Sequence, residues 1–328
     1  MKFILSFLFL ASVQVATAAD DRSSQSLDRL AFGSCNLQLL SQNYYGTIQK
    51  FSPQAWIWAG DAVYTDHFPM FMRKLAFQKV KKSKSYRSLM ASTEVMGTWD
   101  DHEYAANNQG GEYKHKNKTK KLYLDFIGVP AGDIRWSRDG IYWSKTYGPA
   151  DQSVKIILLD TRYFRDKKQI GKKSQDGFLG RDQWDWLVSE LLVDPAKLTF
   201  VVSSSQLISN QEGQDDSWSG YPEERLRFLD LAAVSQSHIV ILSGDRHYAE
   251  LAKIDHGGKT FWEFTASGMT HTDKKAPENP LRVDFALRKR NFGLVDVQWD
   301  AQNRPQVTVS AKSPKDGKDW FKRSFQPN

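Results

Sequence analysis

The sequence predicts an α/β fold, and three observations carry that prediction. Between residues 29 and 101, apolar strand segments alternate with segments of helical periodicity, the order that builds a parallel sheet covered by helices. The same alternation resumes from "VKIILLD" to "HIVILSGD", residues 154–245. After residue 245, four strand patterns follow one another with turns and no helix, which suggests a second, mostly antiparallel sheet packed on the first.

Taken in order, "RLAFGSC" ends as a strand, "SQNYYGTIQKF" reads as a capped helix, and "AWIWAGD" is a fully apolar strand. The segment "FPMFMRKLAFQKVKKSKSYRSLMAS" carries a helical pattern with a basic face, and "EVMGTWDDHE" returns to a strand that runs into a polar loop. The middle supplies strands in "GIYWSKTYG", "VKIILLD" and "LTFVVSSSQ", an amphipathic helix in "LGRDQWDWLVSELL", and a further helix, "PEERLRFLDLAAVS", before the strand "HIVILSGD". The closing strands are "HYAELAKID", "KTFWEFTASG", "FGLVDVQWD" and "QVTVSAKS". No repeat, low-complexity linker or composition break interrupts the chain, so one domain over residues 19–328 is the expectation.

"MKFILSFLFLASVQVATAAD" has a lysine at position 2, an apolar run and small residues at Ala16 and Ala18. That is the pattern of a secretory signal peptide, residues 1–18, cleaved after Ala18. A secreted or periplasmic protein is therefore expected, and no other segment has the roughly 18 uninterrupted apolar residues that cross a bilayer. A hydrophobic content of 40% across 328 residues is ample for a large core. Cys35 is the single cysteine, which rules out a disulfide scaffold. The formal charge is +7, with basic residues concentrated at 79–87 and 114–121, so the surface suits anionic partners: nucleic acid, anionic lipid or phosphorylated small molecules. Either run alone is equally well a solvated helix face.

Four apolar strands end in side chains able to bind metal: Cys35 after "LAFGS", Asp61 after "AWIWAG", Asp100 and Asp101 after "EVMGTW", and Asp245 with His247 after "HIVILSG". The carboxyl ends of parallel strands share one edge, where ligands bind. Each residue has a plainer reading by itself: a small buried hydrophobe for the cysteine, a turn or cap for Gly-Asp. Recurrence of the same placement on four strands points to a metal or catalytic site.

The motifs "GSC", "GDAVYTD", "GTWDDHEYAANN", "LLDTRYFR", "SSSQ", "SWSGYPEER" and "ILSGDRHYAEL" make the chain similar to the PhoD-like alkaline phosphatases, and "GDAVY" resembles the Gly-Asp-x-x-Tyr element of purple acid phosphatases. The resemblance spans about residues 29–270. It implies a metallophosphoesterase-like fold, a four-layer α-β-β-α sandwich of two mixed sheets, and the strand count agrees.

The resemblance also implies roles. Cys35, Asp61, Tyr64 and His247 would hold one ion, with Fe(III) suited to thiolate, phenolate and imidazole. Asp61 would bridge to a second site formed by Asp101 and Asp245 together with Asp100, whose all-oxygen shell favours one or two Ca²⁺ ions, with zinc, manganese or magnesium as alternatives. The wider superfamily has Gly-Asn-His at the "DDHE" loop and two histidines at the late element, so carboxylates here make the second site harder. The implied reaction is in-line attack on phosphorus by a metal-held hydroxide, with His102 protonating the leaving alkoxide or, alternatively, orienting Asp101. Arg162 and Arg165 are candidates to clamp phosphate, unless Asp160 holds one of them in an ion pair. Asn107 and Asn108 are turn residues that could also contact substrate, and Trp218 and Arg225 have no assigned role.

The expected activity is hydrolysis of phosphomonoesters of small molecules. The first alternative is a phosphodiesterase or phospholipase D-like enzyme on lipid or nucleic acid, and the second is a catalytically dead polyanion-binding protein. No stable protein partner is expected.

Overall fold

The computed structural model describes residues 25–172, 174, 176–209 and 217–328, so the expected leader and its cleavage site lie outside the described residues. Among the described residues, thirteen strands form two mixed sheets. The first contains β1 (Arg29–Gly33), β2 (Ala55–Ala59), β3 (Glu94–Thr98), β11 (Phe292–Trp299), β12 (Pro305–Lys312) and β13 (Asp319–Phe325), in the order β13-β12-β11-β1-β2-β3. The second contains β4 (Trp143–Tyr147), β5 (Val154–Leu158), β6 (Leu198–Ser203), β7 (His238–Ser243), β8 (Ala249–His256), β9 (Lys259–Ala266) and β10 (Arg282–Leu287), in the order β10-β8-β9-β7-β6-β5-β4. Within them, β1, β2 and β3 pair in parallel, as do β5, β6, β7 and β9.

The central strands are apolar on both faces because each face is covered. On β2, Ala55, Ile57 and Ala59 face the second sheet, while Trp56 and Trp58 face outward. On β6, Leu198, Phe200 and Val202 meet the first sheet, and Val201 faces the other way. The period of two thus feeds one inter-sheet core and two outer ones. Each large aliphatic or aromatic side chain fully buried there contributes about 1.5–3 kcal/mol.

The helices α1 (Tyr45–Gln49), α2 (Met70–Lys81), α3 (Lys84–Ser92) and α5 (Lys116–Ile127) cover the first sheet, while α6 (Arg181–Val188) and α7 (Pro222–Val234) cover the second. The short α4 (Asp101–Tyr104) follows β3 directly. The layers are therefore helix, sheet, sheet, helix, as the resemblance implied.

Three details differ from the sequence reading. The late strands do not make a sheet of their own: β8, β9 and β10 extend the sheet begun by β4–β7, and β11–β13 extend the one begun by β1–β3. Alternating hydrophobicity identifies a strand but not its partner. The long basic segment is two helices, because Ser83 turns extended and its hydroxyl caps α3 by accepting the Tyr86 N–H. Lys116 and Lys120 of the second basic run are partly structural, since Lys116 lies over the Tyr163 ring and Lys120 donates to the Arg138 carbonyl.

The two sheets bring their parallel carboxyl edges together at one end, and two glycines permit the approach. A Cβ on Gly244, just after β7, would stand 2.2 Å from the Ala59 carbonyl oxygen of the other sheet. A Cβ on Gly60, at φ +91°, would sit 3.0 Å from Cβ of Ser204, which follows β6 of the other sheet.

Candidate metal centre

The residues that leave those strand ends do so in an unusual backbone conformation. Cys35, Asp61, Asp245 and His247 all have φ between 51° and 69°, as does Asn108 at 60°. Few non-glycine residues tolerate the left-handed region, and clusters of them mark places where side chains are aimed rather than packed.

The side chains converge. Sγ of Cys35, a carboxylate oxygen of Asp61 and a ring nitrogen of His247 all lie within 4.8 Å of one another, and so do ligand atoms of Asp61, Asp101 and His102. Asp61 belongs to both groups. The Tyr64 hydroxyl is 3.3 Å from Oδ2 of Asp61 and 3.2 Å from Nε2 of His247, so it completes the first group. Asp245, just after β7, belongs to neither group: its backbone N–H donates to the Ser34 hydroxyl beside Cys35, and Nη1 of Arg246 lies 3.5 Å from its Oδ2.

Asp100 faces inward. Nε of Arg162 and the Ser204 hydroxyl both donate to its Oδ1, and Arg162 Nη2 lies 3.7 Å from Asp101. Arg162 is fully buried, and its ion-pair partner is Asp100 rather than Asp160. Asp160 instead accepts backbone N–H bonds from Ile141, Arg162 and Tyr163 and the indole N–H of Trp99. Arg165 is buried with Nε on the Tyr221 hydroxyl at 3.4 Å. Asn107 and Asn108 act through their backbones: their N–H groups donate to Asp66 and to Oδ2 of Asp101.

The donor set fits cations. Asp61 and Asp101 are buried, yet Oδ1 of each has no hydrogen-bond partner among the described residues. Burial, reinforced by the Asp100 and Asp101 charges and opposed by His102, pushes the Asp61 carboxyl up to about 8. Burial also raises the Cys35 thiol, and the Asp61 charge adds to it. Such a site is costly to ionise without added positive charge, and both orphaned oxygens offer lone pairs to it. Burial opposes protonation of His102, but Asp61 and the Asp66 hydrogen bond outweigh it and push the imidazole up to about 10.

Several residues of the site escaped the sequence reading. Asp66 bonds Nδ1 of His102. Glu103 accepts the N–H groups of Asp61 and Ala62 and so fixes the turn after β2. Asp273 lies 3.1 Å from Nδ1 of His247, an arrangement that orients a metal-binding imidazole. His271 places Nε2 3.3 Å from the Tyr64 hydroxyl, and the Ser267 hydroxyl bonds both Cys35 and the His247 N–H. Ser267 and His271 follow β9, which runs parallel to β7 and so ends at the same edge. Reading β9 as antiparallel hid them.

A two-sheet α/β sandwich with carboxylate, thiol and imidazole groups converging at its strand ends has the form of a metallophosphoesterase. The profile of PhoD-like phosphatases matches residues 73–315, and the chain belongs to that family. It is 26% identical over 272 residues to alkaline phosphatase D of Bacillus subtilis (strain 168), covering 65% of this chain and 44% of that protein. The chain thus spans less than half the length of this relative. Among solved structures, it resembles a Plasmodium protein, GAP50, the anchor in the inner membrane complex, with a TM-score of 0.58 and 14% identity over 93% of this chain and 90% of that one. At that identity the likeness concerns the fold alone.

Proposed function

We propose that the protein is an exported, metal-dependent phosphoric ester hydrolase that favours phosphomonoesters of small molecules. The observation that carries this reading is the membership of Asp61 in both ligand groups, beside two buried carboxylate oxygens that no described protein donor satisfies. Cys35, Tyr64 and His247 with Asp61 suit Fe(III), while Asp61, Asp101 and Asp245, with Asp100 behind them, suit Ca²⁺. When bound, the cations supply Lewis acidity that activates water and offsets phosphate charge.

The chain's own groups do the rest. Arg162 holds Asp100 and Asp101 in place from beneath, so it is a positioning residue, and Glu103 does the same for Asp61. His102 keeps its Nδ1 on Asp66, which leaves Nε2 to give a proton to the leaving oxygen. Export rests on the leader alone; a mature chain beginning at residue 19 by mass spectrometry tests it.

Turnover of p-nitrophenyl phosphate and of bis-p-nitrophenyl phosphate, each measured before chelation, after it, and after metals are restored, tests the proposal. Faster monoester turnover that chelation abolishes and metal restores is expected. A strong preference for the diester overturns the substrate assignment, and hydrolysis of neither substrate overturns the enzyme assignment. Bound Fe(III) should give a thiolate or phenolate charge-transfer colour; full activity in a colourless, iron-free protein would sink the iron assignment.

A further inference from the structure

From an apolar face left uncovered beside the metal centre, we infer that the protein docks peripherally on an anionic phospholipid surface through the amino-terminal half of α2. The buried side of this helix carries Arg73, Ala76, Phe77 and Val80, at helical spacing. The opposite side carries Phe71, Met72 and Leu75, exposed by 66%, 38% and 58%, and Phe68 just before the helix extends the same stripe. Large exposed apolar side chains that share a stripe mark an interaction surface.

The stripe is held rigidly to the rim of the site. Arg73 is buried and donates to the carbonyls of Phe68, Glu103 and Ala105 and to the Thr65 hydroxyl, tying the start of α2 to the segment that follows Asp101. Thr65 in turn bonds the His102 carbonyl. A second exposed apolar pair, Leu39 and Leu40, follows Gln38, whose side chain bonds both the N–H and the carbonyl of Tyr64. Both apolar segments therefore hang from the backbone that carries Tyr64.

Charge identifies the occupant. At 100° per residue, the stripe of Phe71 and Leu75 continues as Lys79 and Lys82, about one and two turns further on. Residues 67–92 contain seven Lys and Arg and no Asp or Glu. Apolar side chains entering the acyl boundary, with lysines at headgroup level behind them, are the pattern of an interfacial helix on anionic lipid. A second copy of the chain would bring the same positive stripe against itself, which like-charge repulsion disfavours. No helix among the described residues is long and apolar enough to cross a membrane.

Co-sedimentation of the full chain with vesicles of phosphatidylcholine alone, or of equal parts phosphatidylglycerol and phosphatidylcholine, tests this. Binding to the anionic vesicles that weakens with added salt is expected. Phe71→Ser/Leu75→Ser should lower the partition by at least about tenfold, and Lys79→Glu/Lys82→Glu by about as much on anionic vesicles only. Both double variants change exposed side chains and should keep the wild-type melting temperature. Equal partition of wild type and Phe71→Ser/Leu75→Ser, or no vesicle binding by the wild type, overturns the inference. So does a concentration-dependent dimer that Phe71→Ser dissolves, which would give the face to a second copy.

Discussion

Oδ2 of Asp66 lies 2.7 Å from Nδ1 of His102, and the other oxygen of the same carboxylate accepts the Asn107 N–H at 2.8 Å. One side chain thus fixes the imidazole and the loop beyond it. Asp66→Asn keeps the shape and removes the charge that helps hold a proton on His102. Turnover should fall about 10- to 100-fold with metal content unchanged. Because His102 is the proton donor in the proposed reaction, the alkaline limb of the pH–rate profile should also move to lower pH. Wild-type turnover with an unmoved limb would reduce Asp66 to loop architecture.

Cys35 packs its sulfur 3.5 Å from Oδ2 of Asp61 and 3.2 Å from the Ser267 hydroxyl. Since burial raises its pKa, a cation must displace the thiol proton, and metal uptake should strengthen as pH rises. Cys35→Ser should lose the visible colour and bound iron, and cut turnover on the order of 100-fold or more. Metal analysis and the absorption spectrum check it; iron retained at the wild-type level would return Cys35 to a packing role.

Much of this was legible in the sequence, for a physical reason. Strands such as "AWIWA" and "FVV" of β6 are apolar on both faces because the sandwich covers both, and the residue after such a strand sits at the ligand edge by topology alone. Two of the four edge strands, β3 and β4, were legible and two were not: β10 and β13 each lie at the end of a sheet, with "RVDFAL" mostly half-buried and "DWFKRSF" largely exposed. Asp66, Glu103 and Asp273 are single acids in or beside loops, and nothing in their spacing announces the hydrogen bond each makes. His271 depended on the direction of β9, which a strand pattern does not encode.

Glu263 gives a prediction away from the metal centre. It is fully buried on β9, accepts the backbone N–H groups of Leu207 and Ile208, and burial, with a lesser push from Glu250, raises its pKa from 4.5 to about 7. In the folded state it keeps its proton between those values while the unfolded chain loses it. Its contribution to stability therefore falls as pH rises from 4.5 to about 7, and the penalty is complete above that. Glu263→Gln cannot titrate, and its amide replaces one acceptor, so it starts from a lower baseline. Melting curves from pH 5 to pH 8 should nonetheless show the variant gaining on the wild type, by about 3 kcal/mol at most. Parallel curves would remove the linkage.

Arg162 offers the sharpest separation between two roles for one residue. As a phosphate clamp, its loss would raise KM and leave the fold alone. The structure instead buries its guanidinium completely against Asp100, itself completely buried, with Asp101 3.7 Å away. Removing one partner of a buried pair leaves the other charge uncompensated, which costs about 3–5 kcal/mol. Arg162→Met should therefore lower the melting temperature steeply, and should do so in chelator-treated protein as well. Adding Asp100→Asn removes the stranded charge and should recover part of that loss, a coupling that a double-mutant cycle reads directly. An Arg162→Met protein of wild-type stability with a raised KM would reinstate the clamp.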